Sequence, residues 1–122
     1  MYKRQERNIV GHVNLVSPVL QRGLQKFRDH PFIGDVRGMG LIAAVELSAN
    51  PAQRQAFPPE RAVGAYLVRR AQEHGLILRA MAGDIVAFSP PLIITEAELA
   101  ELLARFERAL EDTTAWIKTW AI

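Results

Sequence analysis

Between residues 8 and 28 the apolar side chains Val13, Val16, Leu20, Leu24 and Phe27 recur at steps of three and four, the spacing of one face of an α-helix. Pro18 falls inside that stripe, and Ser17 before it could cap a new helix, so the segment reads as one kinked helix or two successive pieces. The DHP at 29–31 ends it. Leu41–Leu47 is a run of apolar and β-branched residues that predicts a central strand. Gly38 and Gly40 just before it permit a bulge or a close backbone approach. Residues 48–59 form a loop punctuated by Pro51, Pro58 and Pro59. Glu60–Glu73 places Val63, Tyr66, Leu67 and Ala71 at helical spacing, with Gly75 positioned to close the helix and His74 as a solvated cap in its last turn.

Two short apolar runs follow, Leu76–Leu78 and Asp84–Phe88, joined by the small-residue loop RAMAG, which predicts two strands and a hairpin-like connection whose small residues leave Arg79 room to move. Pro90 and Pro91 cannot donate to a ladder, so SPPL leaves the sheet. Thr95 and Glu98 form a capping box. Leu99, Leu102, Leu103, Phe106 and Leu110 make the buried stripe of a last helix. Helix, strand, helix, strand, strand, helix predicts an α+β fold, a small mixed or antiparallel sheet with helices packed on one face.

With 122 residues, the chain suits one domain with a real core. Hydrophobic residues make up 49% and charged residues 23%, which excludes a disordered chain. No run reaches the roughly 18 apolar residues of a membrane span, and the N-terminus lacks an apolar signal stretch. With no cysteine, disulfides, thiol catalysis and thiolate metal sites are excluded, and a reducing, cytoplasmic setting is expected. Residues 1–7 have no apolar periodicity and are expected to be a disordered tail; MYKRQ also has the look of a translated adapter scar.

The pI of about 9.4 invites a nucleic-acid reading, but the charge is not gathered into a groove. Residues 1–40 carry seven basic groups against three acidic ones, whereas residues 95–122 carry three against six. Outside Lys3, Arg4, Glu6 and Arg7 the chain is neutral, so phosphate binding is not its main work and no nucleic-acid partner is expected.

Catalytic groups are few. His12, His30 and His74 are far apart, and no metal site is expected. The glycines at 34, 38 and 40 precede a strand, whereas a dinucleotide fingerprint needs them between a strand and a helix. Ser17, Ser48 and Ser89 lack a nucleophile elbow, and Lys3, Lys26 and Lys118 lie in the tail or on outer helix faces. No catalytic and no cofactor-binding residue is assigned. Arg37, Glu46, Gly38 and Gly40 are assigned to structure. Arg79 has two readings. It is either a strand-end arginine, solvated or paired with Asp84 or Glu46, or a planar fork at the rim of an apolar wall, able to grip a carboxylate in two parallel hydrogen bonds.

The stretches HPFIGDVRGMGLIAAVEL and AQEHGLILRAMAGDIVAFSPPLIITEAELAELLARFERAL, with their V-R-G-x-G-L, G-L-I-x-R and P-P-L-I-I-T-E motifs, closely resemble the C-terminal segment of class III aminotransferases. These are pyridoxal 5′-phosphate enzymes of fold type I, and the likeness is greatest to the ω-transaminase branch. It runs over roughly Asn8–Asp112. The resemblance implies that residues 8–122 form the small C-terminal domain of such an enzyme, truncated, with the large cofactor domain absent. It implies an amino donor and a keto acid such as pyruvate as substrates, and a homodimer or tetramer as the parent assembly. Arg79 matches the family's mobile arginine for the substrate α-carboxylate. Alone, the chain is expected to be inactive and to expose apolar surface. The alternative is a non-enzymatic α+β module that binds an amino acid at a sheet edge.

Overall fold

The computed structural model describes residues 9–120; the expectation about residues 1–7 lies outside them. The first helix, α1, runs Ile9–Gln25 without a break through Pro18, with Val16, Leu20 and Leu24 buried. It is a single helix, and it stops three residues short of the Arg28 that the apolar stripe suggested. A turn then leads to β1, Ile33–Met39, and β2, Ile42–Leu47.

Strand β1 was not anticipated. Its sequence IGDVRGM holds two glycines, and an irregularity between Ile33 and Asp35 breaks the alternation that would mark it. Gly40, at φ +60°, opens the tight turn that pairs Met39 with Ile42. Gly38 is the close approach: a Cβ there would stand 2.6 Å from both the Gln21 side chain and the Ile42 carbonyl.

Past two short 3-10 turns at Pro51–Gln53 and Pro59–Arg61, α2 spans Val63–Glu73. Gly75, at φ +84°, closes it: its N–H bonds to the Gln72 carbonyl, and the Leu76 N–H reaches back to Ala71 at 2.8 Å. Strands β3, Arg79–Met81, and β4, Ile85–Phe88, follow. Leu76–Leu78, expected as a strand, lies outside the ladder, and the strand begins at Arg79, just past where it was expected to end. The ladder closes at Arg79 opposite Ala87 because the partner soon enters Pro90 and Pro91, which have no N–H to offer. The RAMAG segment is therefore mostly strand: only residues 82–84 form the turn, with Gly83 and Asp84 both at positive φ.

The last helix, α3, covers Glu96–Thr119 and begins at the expected capping box, Glu98 N–H to Thr95 Oγ1 at 3.1 Å and Thr95 N–H to Glu98 Oε1 at 2.9 Å. It continues well past Asp112, carrying Thr113 and Ile117 into the core. Thr113 is tolerated there because its hydroxyl donates to the Ala109 carbonyl at 2.8 Å.

All strands are antiparallel, in the order β1-β2-β4-β3. Val36, Val45 and Val86 stand abreast on one face and none is accessible to solvent. Leu20 and Leu24 from α1, Val63 and Leu67 from α2, and Leu99 and Phe106 from α3 complete that side. Each such buried side chain stabilises the fold by about 1.5–3 kcal/mol before entropy is counted. The opposite face is open, with Met39 85%, Ile42 67% and Met81 52% exposed. The α+β architecture is the one expected, with four strands instead of three.

His30 sits between the end of α1 and α3. The Phe32 N–H donates to its Nδ1 at 3.1 Å, and its Nε2 lies 3.3 Å from the Thr114 hydroxyl, which itself donates to the Leu110 carbonyl. Both contacts suit a neutral ring protonated on Nε2. Burial, then the charge of Lys118, pushes its pKa below the ordinary 6.5. The unfolded chain thus binds this proton more readily, so stability is full above pH 6.5 and is lost as pH falls through that value toward the lowered one. Thermal melts from neutral to mildly acidic pH should show this slope, and His30→Asn should flatten it; an unchanged slope would remove His30 from the account.

Candidate active site

Arg79 opens β3, at the sheet edge, and its cross-strand partner is Ala87. Register places Arg37, Ala44, Ala87 and Arg79 in one row on the open face of the sheet. The two arginines differ in what holds them. Arg37 donates to Asp35 at 2.8 Å, whereas the Arg79 guanidinium has no hydrogen bond or ion pair among the described residues. Asp84, one suggested partner, instead accepts the Gly64 N–H at 3.0 Å. Glu46, the other, lies one row along, opposite Asp35 and Ile85.

Arg79 lines an open groove of about 760 Å³ whose walls are largely apolar: Leu76 and Leu78 on one side, Phe88, Pro91 and Ile94 on the other. A free guanidinium beside such a wall can bind an anion with little competition from neighbouring carboxylates. Arg79, Ala80 and Met81 are paired strand residues and not the loop expected. What remains free is the long side chain.

The groove's other ionic groups are already engaged. Arg105 donates from Nε to Glu101 at 3.0 Å and from Nη1 to the Gly75 carbonyl at 2.8 Å. Glu98 serves the capping box. Outside the groove's lining, Asp112 accepts from His74 Nε2 at 2.8 Å and from Arg70 Nε and Nη2 at 3.2 Å each. His74 is the C-cap residue of α2, as expected, but its side chain is part-buried and ties α2 to α3. The hydrogen bond from His74, aided by the bonds and charge of Arg70, holds the Asp112 carboxyl below its usual range. No spacing signal points to this cluster, because its members are 38 and 42 residues apart.

His12 meets the Ile94 carbonyl at 2.6 Å, so the three histidines stay apart. Among the described residues no three His, Cys, Asp or Glu side chains gather as metal ligands.

The architecture is a four-stranded antiparallel sheet with helices on one face and, at its edge, an arginine without a hydrogen bond or ion pair among the described residues beside an apolar groove. Residues 4–110 match the class III aminotransferase family, and the chain belongs to it. It is 45% identical over 109 residues to gamma aminobutyrate transaminase 1, mitochondrial, of Solanum lycopersicum, covering 89% of this chain and 21% of that protein. It is 48% identical over 89 residues to the diaminobutyrate--2-oxoglutarate transaminase of Halomonas elongata, covering 72% and 19%. Among solved structures it superposes on the omega transaminase from Pseudomonas jessenii in complex with PMP, with a TM-score of 0.90 and 46% identity over 96% of this chain and 26% of the other. The chain therefore spans about a fifth to a quarter of the length of these relatives.

The family works with pyridoxal 5′-phosphate, which attaches to its enzyme through a lysine. Among the described residues, Lys26 and Lys118 are both exposed and neither lines the groove. These residues do not fit the cofactor. No helix among them is long and apolar enough to cross a membrane.

Proposed function

We propose that residues 8–122 are the small, substrate-side domain of a transaminase that moves an amino group from an amine or amino acid to a keto acid such as pyruvate. Arg79 grips the substrate carboxylate, and pyridoxal 5′-phosphate is bound mainly by a large domain outside these residues. The observation that carries this is the free Arg79 guanidinium beside an apolar groove, in a chain belonging to this family. A guanidinium fork meets a carboxylate in two parallel N–H···O bonds, fixing the substrate's orientation as well as its charge. The absence of cysteine suits a cytoplasmic enzyme. The apolar side chains Met39, Ile42 and Met81 on the open sheet face suit burial in a homodimer or tetramer.

The test is a chimera in which residues 9–120 replace the matching segment of the Pseudomonas jessenii omega transaminase. Amine transfer to pyruvate above background is the expected result. A chimera that is soluble and binds the cofactor, as read from its absorbance, yet transfers no amine would overturn the proposal.

A further inference from the structure

The strand that carries Arg79 is short, lies at the sheet edge and pairs on one side only, with all three residues exposed. Left to its own ladder, such a strand would not hold a side chain to the tolerance that a two-point grip on a carboxylate requires. Something else must hold it, and the two ends of α2 are placed to do so.

At the far end of the strand, the turn 82–84 is fastened to the start of α2. Helix α2 has no side-chain cap of its own: its N-cap residue, Ala62, has no polar group, and its first N–H groups would be without intrahelical partners. Asp84 supplies the missing acceptor from 20 residues away, taking the Gly64 N–H at 3.0 Å through Oδ1. Its negative charge also suits the positive end of the helix dipole. The contact is close. A Cβ on Gly64 would lie 3.1 Å from Asp84 Cα, so position 64 must stay small for the turn to seat. Asp84 adopts φ +57°, a conformation that costs a non-glycine residue energy. Its own carbonyl accepts the Leu47 N–H at 3.0 Å, tying the same residue into β2.

At the near end, Gly75 comes just after His74, the C-cap of α2, and Arg105 holds the Gly75 carbonyl at 2.8 Å. A Cβ at Gly75 would stand 2.6 Å from Arg105 Nη1. Leu76 and Leu78 anchor the chain in the core on the way to Arg79. The edge strand is therefore slung along one rigid helix and fixed at both ends.

We propose that Asp84 is a positioning residue for Arg79: by capping α2 from the hairpin turn, it fixes the strand from which the guanidinium reaches the substrate carboxylate. This rests on the proposed role of Arg79, and the experiment separates the two. Asp84→Gly removes the carboxylate while relieving the positive-φ cost, and Asp84→Asn keeps an oxygen acceptor at the same place.

In the full chain, hydrogen exchange should show the Gly64 amide and the β3 amides exchanging about tenfold faster or more in Asp84→Gly, and close to the parent rate in Asp84→Asn. In the active chimera, Asp84→Gly should raise KM for pyruvate by about three- to tenfold with kcat little changed, and Asp84→Asn should recover most of that. Unchanged exchange would show that the cap does not hold the strand. Faster exchange with an unchanged KM would show a purely structural cap. Either result overturns the proposal, whereas an Arg79→Ala variant with unchanged KM would instead overturn the role of Arg79 itself.

Discussion

Arg79→Ala in the active chimera is expected to raise KM for pyruvate by about tenfold or more, while kcat at saturating pyruvate changes much less. A charge-assisted hydrogen bond is worth roughly 1.5–3 kcal/mol, and about 1.4 kcal/mol is a factor of ten. The carboxylate is not the reacting centre. Its grip is felt about equally in the bound substrate and in the transition state, which places the loss in KM. Arg79 has no other described partner, so removing it leaves no buried carboxylate without its counter-charge, and the fold should be indifferent. Arg79→Lys keeps the charge but loses the fork, and should recover only part of the binding. Steady-state kinetics on soluble variants with normal cofactor absorbance decide this. A KM within twofold of the parent would remove Arg79 from the site.

Phe106→Ala should cost about 3–5 kcal/mol of folding stability, the usual range for deleting a fully buried aromatic ring. Phe106 is inaccessible to solvent and stands at the centre of an edge-to-face set, its ring centroid 5.2 Å from that of Phe27 and 5.0 Å from that of Phe88. Through these two rings it joins the turn after α1 and strand β4 to α3. Truncation removes both contacts and leaves a cavity that three packed elements cannot close without moving. Urea unfolding of the full chain measures this as a drop in the midpoint at constant slope. A loss below about 1 kcal/mol would mean that the surrounding elements collapse onto the gap and are less rigidly packed than their burial indicates.

Much of the architecture is legible in the sequence because its cues are local. The capping box at Thr95 and Glu98, the closing Gly75, and the stripes of α1 and α3 all lie within a few residues of the features they specify. Strand β1 escaped notice because Gly34, Gly38 and a register irregularity break up its alternation; only its pairing with β2 makes it a strand. The misplacement of β3 has a similar origin. Leu76 and Leu78 are buried as a strand's side chains would be, but the ladder is decided by the partner's prolines.

The groove shows the same division. Arg79 could be singled out as an arginine among apolar runs, yet its freedom depends on where Asp84, in the same hairpin, and Glu46, on another strand, are engaged. The ties made by Asp112 and by Asp84 link residues far apart in the chain, and no spacing rule announces them.

The margins of the sheet carry one more consequence. An edge strand with its unpaired N–H and C=O groups is a template on which a second chain can pair. Here β3 offers only three residues before Pro90 and Pro91 end its partner's run, and β1 is interrupted near Ile33 and carries the Asp35 and Arg37 charges along its length. Neither margin gives an incoming strand a long, flat, uncharged run to extend. Ribbon-like growth of the sheet by strand addition is therefore discouraged at both sides.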